Sequence, residues 1–224
     1  MNDFQLQATK QVFTLGFDFE DQARSEGYHL IAGVDEVGRG CIAGPVVAAA
    51  CVLDRGKSVP EGLDDSKKLT AAKREEINNQ LRDTAAAFAV GVVEAEEIDR
   101  INILEATKKA MSLAIGSLAP AADFLLIDAL QLKLVRLPQK AIIKGDSISL
   151  SIAAASVIAK VYRDDLMTRF DEEYPQYGFA GHKGYGCASH FEAIVKHGPC
   201  SLHRKTFRGV VPSNPPKGTL LDEF

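Results

Sequence analysis

Four carboxylates in three separate stretches of the chain have the clearest capacity for chemistry. Asp35 and Glu36 follow the apolar run from His29 to Val34. Asp128 follows Phe124-Leu125-Leu126-Ile127, and Asp146 sits in Lys144-Gly145-Asp146-Ser147. Desolvating a carboxylate is costly, so a buried one must be protonated, paired or bound to metal. Four oxygen donors with no His or Cys cluster beside them suit a hard cation, Mg²⁺ or Mn²⁺. Two such ions about 3.5–4 Å apart can clamp a scissile phosphate and activate water. Each acid also has a plainer reading. Asp35 and Glu36 fit a solvated turn, Asp128 an ordinary turn opening, and Asp146 a helix N-cap. Spacing alone does not bring the four together.

The elements that must position these acids can be read from periodicity. Residues 29–37 read as a strand ending at Gly38, paired through a short loop with a second, valine-rich strand over 44–53. Neighbouring strand residues face opposite sides. Asp35 and Glu36 therefore share a site only if the strand ends or twists there, which Gly38 and Gly40 permit. The pattern predicts a helix over 70–86, with Thr70 as N-cap and Ile77 and Leu81 on one face. A strand over 88–93 and one or two helices over 94–118 follow, stopped by Pro120. A short buried strand over 123–127 delivers Asp128 at its carboxyl end, where α/β sheets gather ligands. Residues 132–143 are β-like but interrupted by Pro138. A long helix is expected over 147–173, with an Ala- and Ser-rich stretch over 152–159 that allows close approach to a sheet. Residues 176–187 read as a Gly- and Tyr-rich loop and 189–197 as a short helix. Residues 212–218 read as irregular chain in solvent. This alternation implies an α/β fold, three layers around a mixed sheet.

A length of 224 residues suits one domain plus an appendage, and such a chain can bury about 70–75% of its unfolded surface. Residues 1–28 read as an N-terminal extension, 29–217 as the domain and 218–224 as a tail. Hydrophobic content of 46% and charged content of 25% are those of an ordinary globular protein. Neither a signal-like segment nor a membrane-length apolar run is present. Cys41, Cys51, Cys187 and Cys200 lack zinc-ligand spacing, so a reducing, cytoplasmic setting is expected. The net charge of −4 argues weakly against a nucleic-acid partner, but its distribution is uneven. Residues 1–130 carry 13 Lys+Arg against 21 Asp+Glu, and residues 131–217 carry 13 against 7. A basic second half could hold phosphates while an acidic first half holds metal ions.

Gly33-Val34-Asp35-Glu36-Val37-Gly38-Arg39-Gly40, followed by Gly44-Pro45-Val46-Val47, resembles the opening signature of ribonuclease HII. Asp65-Ser66-Lys67-Lys68-Leu69, Leu126-Ile127-Asp128, Lys144-Gly145-Asp146-Ser147 and the segment from Ser151 to Val161 resemble later family motifs, as does Arg163-Asp164. So do Gly181-His182-Lys183-Gly184-Tyr185-Gly186 and Ser201-Leu202-His203-Arg204-Lys205-Thr206-Phe207. The matches run in family order from about residue 30 to 208 and cover most of the chain.

The resemblance implies a ribonuclease-H-like mixed sheet flanked by helices, with a small C-terminal helical part from about residue 188. It implies that Asp35, Glu36, Asp128 and Asp146 are the catalytic, metal-binding acids for two ions, Mn²⁺ or Mg²⁺. Asp35 is expected to bridge both ions, Glu36 and Asp128 to favour one, and Asp146 the other. Gly38, Arg39 and Gly40 match the family motif that senses the ribose 2′-OH, the group that tells RNA from DNA. Tyr185 matches the tyrosine that stacks on the following sugar and favours deoxyribose there. Arg39 also reads as a surface cation paired with Glu36, and Tyr185 as a core or solvent tyrosine. Ser66, Lys67, Lys144, Lys183, Arg204 and Lys205 are candidate phosphate contacts, each almost as readable as a solvated surface charge. Ser147 and Ser151 lie one turn apart and fit either the site or helix capping. His182, His197 and His203 receive no catalytic role. The implied activity is metal-dependent hydrolysis of RNA in RNA–DNA hybrids and on the 5′ side of ribonucleotides embedded in duplex DNA, by a monomer. A junction resolvase of the same fold and a non-catalytic hybrid-binding module are the rivals.

Overall fold

The computed structural model describes residues 14–211. The stretch 212–218 and the tail 218–224 lie outside the described residues. Among those described, five strands form one mixed sheet: β1 (Ile31–Val37), β2 (Val46–Leu53), β3 (Ala85–Val93), β4 (Phe124–Asp128) and β5 (Gln139–Ile142). Their order is β3-β2-β1-β4-β5, with β1–β2 and β2–β3 antiparallel and β1–β4 and β4–β5 parallel. The helices are α1 (Asp18–Ser25), α2 (Ala71–Thr84), α3 (Ala95–Ile101), α4 (Ile103–Gly116), α5 (Leu150–Glu173), α6 (Phe179–His182) and α7 (Ala188–His197).

Every residue of β2 is buried, which explains its unbroken apolar run. Alternation sends Ala48, Ala50 and Val52 to one face, against Ala106, Ala110, Met111 and Ala114 of α4. Val47, Ala49 and Cys51 go to the other face, against Ile77 and Leu81 of α2 and Ala154, Val157 and Ile158 of α5. Small residues let α5 lie close to the sheet. A Cβ on Gly33 of β1 would fall 2.0 Å from the backbone carbonyl carbon of Ser151, so only glycine fits beneath the first turn of α5.

Several boundaries differ from the sequence reading, each for a tertiary reason. Strand β3 begins directly where α2 ends, because Ala85 and Ala87 pair with Leu53 and Val52. Cross-strand pairing there overrides the helix propensity of alanine. The β-like stretch yields strand only over Gln139–Ile142. The preceding turn is held by the Gln139 side chain, which accepts from Leu132 N and donates to the Leu132 and Val135 carbonyls. The expected loop over 176–187 contains the single turn α6.

The N-terminal segment packs onto the sheet. Ala23 of α1 joins Ile31, Phe124, Leu126 and Ile152 in one cluster. Glu20, buried, accepts from Ser149 Oγ (2.7 Å) and Ser151 N (2.9 Å) at the start of α5. A carboxylate at a helix N-terminus satisfies donors that the helix leaves open. Glu20→Ala is expected to cost about 1–3 kcal/mol, because it strands these buried donors. Urea denaturation reads this, with the exposed Glu26→Ala as a control within about 0.5 kcal/mol.

Candidate active site

Val34 and Ile127 are the last residues through which β1 and β4 pair with each other, so Asp35 and Asp128 follow at the same end of the sheet. Asp128 Oδ1 accepts from Gly145 N at 2.7 Å. That bond pins the 3₁₀ turn Gly145–Ser147, and with it Asp146, against the end of β4. The long helix starts at Leu150, later than the sequence suggested, and its N-cap is Ser149, whose side chain accepts from Ile152 N. Asp146 is thereby released from capping, and its buried carboxylate accepts from Lys67 Nζ at 2.8 Å. Asp65 caps the turn that carries Lys67.

β1 ends just before Gly38, as the strand reading over 29–37 has it, and does not break off at the acidic pair. It runs on through Val37, still paired with Val47 of β2. Asp35 is buried and accepts from Glu36 N at 2.7 Å. The hydroxyl of Ser156 on α5 also favours its charged form. Ser156 in turn lies 2.7 Å from Ser66 Oγ, so a short hydroxyl chain supports Asp35. Sequence reasoning singled out Ser147 and Ser151 and missed Ser156. A polar residue inside the Ala-rich face that touches the sheet was its one signal. Glu36 pairs with Arg39 Nη1 at 3.1 Å.

Electrostatics tie the four acids together. Burial, then the charges of Glu36 and Asp128, push the Asp35 carboxyl well above the usual range. Burial also raises Glu36 and Asp128, against the Arg39 contact in one case and the Gly145 N–H in the other. Burial would lower Lys67, but the hydrogen bond and charge of Asp146 outweigh it and raise the ammonium. Among the described residues, no three His, Cys, Asp or Glu side chains are gathered closely enough to hold one metal ion between them. The acids act on one another through charge, and two cations of the protein pair with them, Arg39 with Glu36 and Lys67 with Asp146.

The chemistry of this donor set suits a hard divalent cation. The donors are all oxygens, they are desolvated, and they repel one another. Glu36 Oε2 is buried with no hydrogen-bond partner. Such a group costs free energy unless a cation or proton reaches it.

The chain matches the family model for ribonuclease HII over residues 32–210. It belongs to the ribonuclease HII family. It is 56% identical to ribonuclease HII of Geobacter metallireducens over 192 residues, which cover 86% of this chain and 90% of that one. It is 54% identical to ribonuclease HII of Chlamydia abortus over 211 residues, covering 94% and 98%. Ribonuclease H2 of Pyrococcus horikoshii superposes with a TM-score of 0.68 at 27% identity, covering 81% of this chain and 95% of that one. As a member of this family the chain is a hydrolase, a metal-dependent endoribonuclease with the ribonuclease-H-like fold.

The Gly38–Gly40 loop is held by the buried guanidinium of Arg204, and residues 43–45 that follow it by Arg204 and the buried Arg163 together. Arg204 donates to the carbonyls of Gly38 (2.7 Å), Arg39 (3.1 Å) and Gly44 (2.9 Å). Arg163 donates to Pro45 O, Ala43 O and Lys183 O. Gly38 has φ +91°, and a Cβ there would meet Arg163 Nε at 2.3 Å, so both backbone and brace demand glycine. Arg163 also ties residues 43–45 to the loop carrying Tyr185 through the Lys183 carbonyl, and Gly184 O separately accepts from Ile42 N and Ala43 N.

The candidate phosphate contacts separate into two kinds. Arg204 is fully buried and its donors are taken by carbonyls, a correction to the sequence reading. Ser66 is likewise buried and turned to Ser156. Lys183 Nζ is engaged by Thr168 Oγ1 and the Asp164 carbonyl, while Lys67 stands on Asp146. Lys144 and Lys205 are exposed, as are Arg39, Gly40 and Tyr185. The division of labour between an acidic and a basic half also fails: Asp146 comes from the basic half and joins the other three acids.

Proposed function

We propose that this chain hydrolyses the RNA strand of RNA–DNA hybrids and cuts on the 5′ side of ribonucleotides embedded in duplex DNA. It leaves 3′-OH and 5′-phosphate ends and uses two divalent ions, Mg²⁺ or Mn²⁺. The observation that carries the reading is the gathering of Asp35, Glu36, Asp128 and Asp146 at one end of the sheet, with Glu36 Oε2 unpartnered. The four carboxylates would hold the ions. When bound, two such ions supply an activated water and stabilise the leaving oxygen.

The chain's own groups do the rest. Ser156 and the Glu36 N–H orient Asp35, and the Gly145 N–H orients Asp128. Lys67 neutralises Asp146 and lies where a scissile phosphate would need a cation. Arg39 and the Gly38–Gly40 loop present backbone and guanidinium to a ribose 2′-OH. Gly40 has open space where a Cβ would stand, which leaves room for a sugar to approach. Tyr185, exposed between Gly184 and Gly186, stacks on the next sugar and favours deoxyribose. Lys144 and Lys205 contact phosphates. Four free thiols support a reducing, cytoplasmic setting.

One assay tests the whole reading. A duplex with a single ribonucleotide should be cut on its 5′ side with Mg²⁺ or Mn²⁺ present. Excess chelator should lower the rate by at least about 10³-fold, and re-added metal should restore it. Cleavage that survives chelation contradicts the mechanism. Cutting of branched all-DNA substrates instead would favour a resolvase, and binding without turnover a non-catalytic module.

A further inference from the structure

Three histidines away from the carboxylates make contacts that determine where their protons sit. Cys200 N–H donates to His203 Nδ1 at 3.0 Å, so that nitrogen carries a lone pair and the ring hydrogen is on Nε2. His203 Nε2 lies 3.1 Å from His190 Nε2, which must then accept. The hydrogen of His190 is therefore on Nδ1, 2.8 Å from the Tyr185 carbonyl, to which it donates. One backbone N–H thus sets the direction of every bond in the series. His182 is set in the same way: it accepts from Gly184 N at Nδ1 and donates to Tyr177 O from Nε2. Its ring stacks on His190 at 4.1 Å.

The series ends on the backbone of one residue. His190 and His203 are fully buried, whereas the Tyr185 side chain is 48% exposed. The Tyr185 carbonyl also accepts from Cys187 N (3.0 Å) and its N–H donates to His182 O (2.9 Å), so the His190 bond is the one side-chain contact among three hydrogen bonds that fix this peptide. At the opposite end, His203 bridges to Ala43, just past the Gly38–Gly40 loop. The pair of imidazoles thereby adds a second connection between the two recognition loops, beside the direct bonds of the Gly184 carbonyl. The groups facing the pair are His182, the Cys200 thiol, and the Tyr177 and Phe179 rings.

We propose that His203, acting through His190, is a positioning device for Tyr185 and so for recognition of the RNA–DNA junction. The proposal rests on the reading of Tyr185 given under the proposed function. Burial pushes both rings down, His203 to about 4, so the pair stays neutral at neutral pH. A further proton on His190 Nε2 would set two N–H groups against each other and break the series.

The test measures junction preference, the ratio of kcat/KM for a single embedded ribonucleotide to that for a continuous hybrid. Tyr185→Ala and His190→Gln should each lower this ratio about 10-fold, mainly through KM, since small displacements of a positioning group have effects of this size. Gln removes the donor to the Tyr185 carbonyl. His190→Asn, whose amide N–H stands near Nδ1, should stay within about 2-fold of the wild type, and the Tyr185→Ala/His190→Gln double variant should match Tyr185→Ala alone. Melting curves verify folding. In the unmodified protein, ¹⁵N NMR of the imidazoles should find hydrogen on His203 Nε2 and His190 Nδ1 at pH 7. Reversed tautomers overturn the proposal whether or not any variant folds. A folded His190→Gln with unchanged preference overturns it too, provided Tyr185→Ala lowers the ratio. If Tyr185→Ala itself leaves the ratio unchanged, the reading of Tyr185 falls and the proposed purpose of the series falls with it.

Discussion

Asp35→Asn is expected to slow cleavage by about 10³-fold or more while raising the melting temperature by roughly 2–4 °C, about 1 kcal/mol in a chain of this size. The two effects have one origin. Asp35 is buried beside β4, and its carboxyl is pushed well up by burial and by Glu36 and Asp128. A raised carboxyl pKa means that the fold disfavours the charge, so ionised Asp35 destabilises the native state at neutral pH. Asparagine has the same shape and still accepts from Glu36 N, while the Ser156 hydroxyl can rotate to accept from its amide. It removes the repulsion but cannot neutralise a cation. Added Mn²⁺ should accordingly stabilise the wild type more than the variant. An Asp35→Asn enzyme within tenfold of wild-type rate would remove Asp35 from the chemistry. A fall in melting temperature would refute the claim that its charge is disfavoured. Sites that accept such a cost are commonly those whose function needs the unfavourable charge.

Much of this site was legible because its acids abut features with a physical signature. Phe124 to Ile127 is too apolar to be anything but buried, so Asp128 had to emerge at its end. The same holds for the run before Asp35. The α5 stretch of Ala and Ser announced close packing, and Gly33 beneath Ser151 is its counterpart on the sheet. The illegible parts depend on contacts distant in sequence. Whether Asp146 caps a helix or faces a site depended on Ser149 taking the cap, two turns of backbone geometry that periodicity does not encode. Glu20, in a segment read as an extension, closes the first turn of α5 across 129 residues. Arg204 and Lys205 are adjacent and alike in charge, yet one is buried under the Gly38–Gly40 loop and the other exposed. Formal charge along the chain carries no information about that difference.

That last pair gives the second large effect. Arg204→Met should destabilise the protein by about 3–5 kcal/mol and lower the melting temperature by roughly 10 °C. Methionine replaces the apolar stem but leaves the carbonyls of Gly38, Arg39 and Gly44 without their donor. Burial lowers the guanidinium to about 10, which still leaves it charged at neutral pH. Arg204→Lys should recover less than half of the loss, because one ammonium cannot span carbonyls that a planar fork reaches together. Lys205→Met should behave in the opposite way. Its side chain is exposed, so stability should change by less than about 0.5 kcal/mol, while the salt dependence of hybrid binding should fall by about one charge. Equilibrium denaturation and binding titrations at several salt concentrations separate the two. If Arg204→Met kept its stability and lost one unit of salt slope, Arg204 would be a phosphate contact. The loop that faces the ribose would then need another support.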